Sequence, residues 1–68
     1  MTESQLYAHF HIENKRKERE QLLWTWNRVE EINNDIGLSK ETYKEMQAKI
    51  SSRIAQCDRS IQDHKRLI

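Results

Sequence analysis

Ile32-Asn33-Asn34-Asp35-Ile36-Gly37-Leu38-Ser39-Lys40 decides the fold. Three poor helix formers, Asn33, Asn34 and Asp35, run into Gly37, the only glycine in a chain of 68 residues that has no proline. Glycine adopts positive φ without a Cβ penalty, so it suits the residue that ends a helix. Ser39 then offers a hydroxyl to the free N–H groups of a second helix, with Leu38 and Tyr43 spaced as a hydrophobic staple around it. One break of about three residues between two helical stretches means that the second helix returns antiparallel to the first.

Working outward, Thr2-Glu3-Ser4-Gln5 fits the capping box, with Met1 and Leu6 at the staple positions, so helix one starts near Glu3. Nothing interrupts it before Gly37. After Lys40, apolar and small residues recur at Tyr43, Met46, Ile50, Ile54, Cys57, Ile61, His64 and Ile68, in steps of three and four. The expectation is an all-α chain: helix one over about 3–36, a turn at 37–39 and helix two over about 40–67, forming one αα-hairpin domain.

A turn centred on Gly37 and Leu38 pairs residues whose numbers total about 76. The half next to the turn then closes as an intramolecular seam of Leu22, Trp26, Val29 and Ile32 against Tyr43, Met46 and Ile50. Further out, Arg19 falls opposite Cys57 and Lys15 opposite Ile61, with only Ile12 and Ala8 to meet His64 and Ile68. The distal half of helix two is therefore expected to lack apolar partners in its own chain. Burying one isoleucine is worth about 1.5 to 3 kcal/mol, so that surface calls for a cover.

Composition points the same way. Hydrophobic residues are 35% and charged residues 34% of the chain, against roughly half and a quarter in an average globular domain. A short, polar chain has difficulty stabilising a core alone. Two-fold pairing of hairpins into a four-helix bundle or coiled-coil-like dimer is the simplest closed solution.

The tryptophans divide between two faces. At 100° per residue Trp24 points about 160° away from Trp26, and Leu6 and Phe10 lie on the Trp24 side. The expected oligomer or partner interface is Leu6, Phe10, Trp24, Ile54, Cys57, Ile61 and Ile68. The alternative for Trp24 is a single exposed ring lying on Arg28 or Glu20. Polar residues from Glu13 to Gln21 keep helix one soluble between the two apolar clusters.

Chemistry is sparse. His9 and His11 point about 200° apart on a helix, Cys57 and His64 fit better as seam residues, and no zinc-type spacing occurs. The expectation is no enzyme, with no catalytic, cofactor-binding or metal-binding residues and no cofactor. Acidic and basic side chains interleave through Glu13–Glu20, and the net charge is only +1, so no uncompensated phosphate-binding patch stands out. No stretch is long and apolar enough to span a membrane, no signal peptide opens the chain, and a single cysteine fits a reducing compartment. The expected location is the cytoplasm.

The segment Ile32–Met46 resembles the bacterial helix-turn-helix pattern, with glycine in the turn, an apolar residue after it and apolar positions at Tyr43 and Met46. It departs from that pattern at Asn33, where the family carries a small residue. The resemblance implies DNA binding by the helix that begins at Lys40, and that fold requires a third helix. The favoured expectation is a self-associating protein-interaction module, a regulator, inhibitor or assembly subunit of bacterial or phage type that binds another protein. A nucleic-acid partner ranks second, and a membrane partner is not expected.

Overall fold

The computed structural model describes all of residues 1–68 and consists of two helices, α1 (Glu3–Ile36) and α2 (Lys40–Lys65), packed against each other as a hairpin. Thr2 caps α1 in both directions: its Oγ1 accepts from the Gln5 N–H at 3.2 Å, and its own N–H donates to Gln5 Oε1 at 3.0 Å. This reciprocal arrangement satisfies two of the donors that a helix start leaves free.

The turn is built as much by Asn33 as by Gly37. Gly37 has φ 70° and ψ 96°, and its N–H donates to Asn33 O at 3.0 Å. The next N–H, that of Leu38, donates to Asn33 Oδ1 at 3.0 Å. One asparagine therefore holds two consecutive turn amides, one with its carbonyl and one with its side chain. Ser39 Oγ accepts from the Thr42 N–H at 3.2 Å and starts α2.

Antiparallel register follows from contacts between the helices. Tyr43 donates its hydroxyl proton to Glu30, Arg19 meets Asp58, and His11 stacks on His64. Their numbers total between 73 and 77, close to the expected 76. The chain is long and thin, 51 × 16 × 10 Å, with a Cα radius of gyration of 15.7 Å where a compact chain of this length has about 11 Å.

The core is one strip along the seam: Ala8, Ile12 and Val29 from α1, and Ile50, Cys57 and Ile61 from α2. This corrects the expectation that the distal half of α2 lacks a cover in its own chain. Cys57 and Ile61 are buried beneath α1. Ala8 and Ile12 supply apolar contact, while Lys15, Glu18 and Arg19 are only half-exposed. Part of each side chain, methylene stem included, is withdrawn from water, and the Arg19 Nε is itself buried 2.9 Å from Asp58 Oδ1. A pattern search that counts only apolar letters does not register such stems.

Two ends also differ from expectation. Ile36, which at 100° per residue falls within about 20° of Val29 on α1, is 75% exposed. With Tyr43 opposite Glu30, the last turn of α1 faces the connection rather than α2, so Ile36 has nothing to pack against. Helix α2 stops at Lys65 and not 67, which leaves Leu67 and Ile68 exposed in the terminal turn.

Candidate interaction surface

Burial sorts the seam residues by depth. Val29 and Ile50 are buried; Leu22, Trp26, Ile32 and Tyr43 are half-buried; Met46 sits at the exposed margin. Of the residues expected to meet a partner, Cys57 and Ile61 are inside the hairpin and Ile54 is half-buried. Leu6, Phe10 and Trp24 are 45%, 52% and 67% exposed, and Ile68 is exposed at the chain end.

Leu6, Phe10 and Trp24 project from the side of α1 that faces away from α2. At 100° per residue they fall within about 40° of one another and roughly 160° from the Ala8–Ile12–Trp26 side. Seen along the helix, this outer stripe reads Glu3, Leu6, Phe10, Glu13, Lys17, Glu20, Trp24 and Arg28. Lys17 Nζ lies 3.7 Å from Glu13 Oε1 within it. The Arg28 guanidinium beside Trp24 pairs with Glu31 at 2.8 Å, and the one aromatic contact in the chain is His11 with His64, not one made by that tryptophan. Tyr7, which the apolar pattern did not select, is also exposed beside Leu6 and Phe10.

Ion pairs follow helical neighbours: Lys15 with Glu18 at 3.1 Å, Glu13 with Lys17, and Arg28 with Glu31. Spacing alone also offers Glu41 to Lys44 and Glu45 to Lys49, but these side chains do not pair. The one ion pair between the helices is Arg19 Nε to Asp58 Oδ1 at 2.9 Å. The buried Nε–H is not aimed at that oxygen, so the contact is a charge pair without a directed hydrogen bond.

Of the histidines and the cysteine, only His11 and His64 come together. His9 is exposed on the outside of α1. His11 stacks on His64 with ring centroids 4.6 Å apart and planes 23° from parallel, and His64 Nδ1 lies 2.7 Å from Ser60 O, so that nitrogen carries the proton it donates. His11, the neighbour of the Ile12 expected at this place, makes the stacking contact with His64, and Ile12 is buried in the core. Cys57 is two helical turns from His64, about 10 Å along the axis. Burial pushes the Cys57 thiol up from its ordinary value, and the negative field of Glu18 adds to the effect. A buried, protonated thiol is a packing group and a poor nucleophile. No three His, Cys, Asp or Glu side chains gather into a metal-binding group.

The largest concavity, an open groove of about 740 Å³, lies along α2 over Leu22 and Ile50 and is bordered by Lys49 and Arg53. No helix is long and apolar enough to cross a membrane. The chain matches no protein-family model, and no curated protein or solved structure shows significant similarity to it.

Proposed function

We propose that this chain is a self-associating helical hairpin that works as a protein-interaction module, a regulator, inhibitor or assembly subunit rather than a catalyst. The observation that carries this reading is the amount of surface left open. Only six residues are buried, and the accessible surface is 5536 Å², where a compact monomer of this mass exposes roughly 4,600 Å². The difference is close to the ~800 Å² that each partner of a standard interface covers. Large apolar side chains, Leu6, Phe10 and Trp24 among them, lie on that excess surface, and aromatic residues are enriched where interfaces concentrate their binding energy.

DNA binding through the Gly37–Leu38–Ser39 junction is the second reading. Lys40 and Lys44 are exposed and free of ion pairs, which favours it. Against it, α1 runs without a break through Glu13–Gln21, so the chain has no third helix. A helix-turn-helix also crosses its two helices at about 90–120°. Two helices of 34 and 26 residues crossing at that angle do not fit a body 16 Å wide.

Sedimentation equilibrium from about 5 to 500 µM, at ~150 mM salt, with and without duplex DNA, separates the readings. Self-association without nucleic acid is the expected result. A chain that remains monomeric alone but binds duplex DNA selectively at that salt, and loses binding in Lys40→Ala and Lys44→Ala, reverses the order.

A further inference from the structure

We infer that the outer stripe of α1 is a self-complementary surface, and that two copies pair through it as an antiparallel α1·α1 dimer with Leu6 of each copy against Trp24 of the other. This rests on the self-association proposed above and specifies which surface performs it.

The stripe supplies the argument. Glu3, Leu6, Phe10, Glu13, Lys17, Glu20 and Trp24 advance in alternating steps of three and four, the spacing that keeps one face of a helix against a neighbour over many turns. A two-fold axis crossing α1 near residue 15 pairs positions whose numbers total about 30. Leu6 then meets Trp24 of the second copy, and Glu13 meets Lys17 of the second copy. Each contact occurs twice, as a two-fold interface requires. Phe10 lies over the aliphatic stems of Glu20 and Gln21 of the second copy.

Charge selects the direction. In the antiparallel arrangement the two Glu13 and two Lys17 side chains alternate in sign around the axis. Turned parallel, Glu13 faces Glu13 and Lys17 faces Lys17, and both contacts repel. The 3.7 Å pair within each copy places the two groups one turn apart on this face, with both ends well exposed and able to accept a second neighbour. Apolar side chains lie at the two ends of the stripe and charge lies at its centre. The contact is thus anchored by Leu6–Trp24 twice and aligned by the central charges. This pairing leaves the hairpin seam undisturbed, because the stripe lies on the opposite side of α1.

Reciprocal charge reversal tests it. Glu13→Lys places four cations around the axis and Lys17→Glu places four anions there, so each variant alone is expected to associate at least about tenfold more weakly than the unaltered chain. An equimolar mixture of the two restores both opposite-sign contacts between the copies, though not the Glu13–Lys17 pair within each, and sedimentation should show the affinity recovering as a heterodimer. Trp24→Ala should weaken association by about tenfold or more, while circular dichroism shows helix content retained. If the unaltered chain is monomeric at 500 µM, both self-association and this surface fail. If it dimerises, but Trp24→Ala and both charge reversals dimerise equally well, self-association stands and this surface is wrong. A parallel pairing is revealed when neither reversal weakens the dimer but their mixture strengthens it.

Discussion

Two side chains between the helices make the fold sensitive to alkali. The Tyr43 hydroxyl is raised above the ordinary phenol range chiefly by its hydrogen bond to Glu30, with desolvation and the Glu30 charge adding to it and Gln47 opposing. Burial raises the Cys57 thiol. Both groups hold their protons more tightly folded than unfolded. Their contribution to stability is therefore complete below the unfolded values, about 8.5 for the thiol and 10 for the phenol, and is lost as pH rises through the folded ones. Urea midpoints measured from pH 7.5 to 10.5 are expected to fall across that range. Tyr43→Phe should flatten the upper part of the fall and Cys57→Ala the lower part. Identical pH profiles for all three chains would mean that neither group is held by the fold as described. Single side chains also set what the sequence could disclose. Trp24 and Trp26 separate by angle alone, and the exposed and half-buried environments of their rings match that separation. His11 on His64 was not legible, since the apolar pattern selects Ile12 for the seam and gives no reason to set the polar ring beside it against α2.

At the scale of elements, the hairpin was legible because three independent local signals agree at one place. Poor helix formers, a lone glycine and a serine cap fall within seven residues, and only an antiparallel return satisfies them. Asn33 carried more than its helix propensity indicated: its side chain caps the turn by accepting from the Leu38 N–H. What stayed hidden was the closure of the distal seam, because Lys15 and Arg19 cover it with stems that read as charge. Gly37 permits a quantitative check on the turn. A Cβ at this position meets nothing within 4 Å, so a substitution has no steric clash with neighbours and its cost is the positive φ of 70° alone. Gly37→Ala should then destabilise the hairpin by about 1 to 2 kcal/mol, read from the urea midpoint at fixed protein concentration. A smaller effect indicates that the turn relaxes to negative φ, and one beyond ~3 kcal/mol indicates contacts at Gly37 that the open surroundings do not provide.

For the whole molecule, shape and stability are in tension. A strip of six buried residues running along a body 51 Å long gives each helix one covered side and leaves the other in water. Domains of this size bury too small a share of their surface to be secure alone, and binding between copies adds stability by mass action. If folding and pairing are linked, the melting temperature must depend on protein concentration. A hundredfold dilution removes about 2.7 kcal/mol per dimer. With an unfolding entropy of roughly 2.1 cal/mol/K per residue over two chains, the midpoint should drop by on the order of 10 °C. Thermal melts followed by circular dichroism at 5 and 500 µM measure this directly. Trp24→Ala should lower the midpoint at the higher concentration and reduce its dependence on concentration, because it weakens the pairing while leaving the seam intact. A midpoint that is the same at both concentrations for the unaltered chain would show that the hairpin carries its stability alone and would overturn the link between folding and pairing.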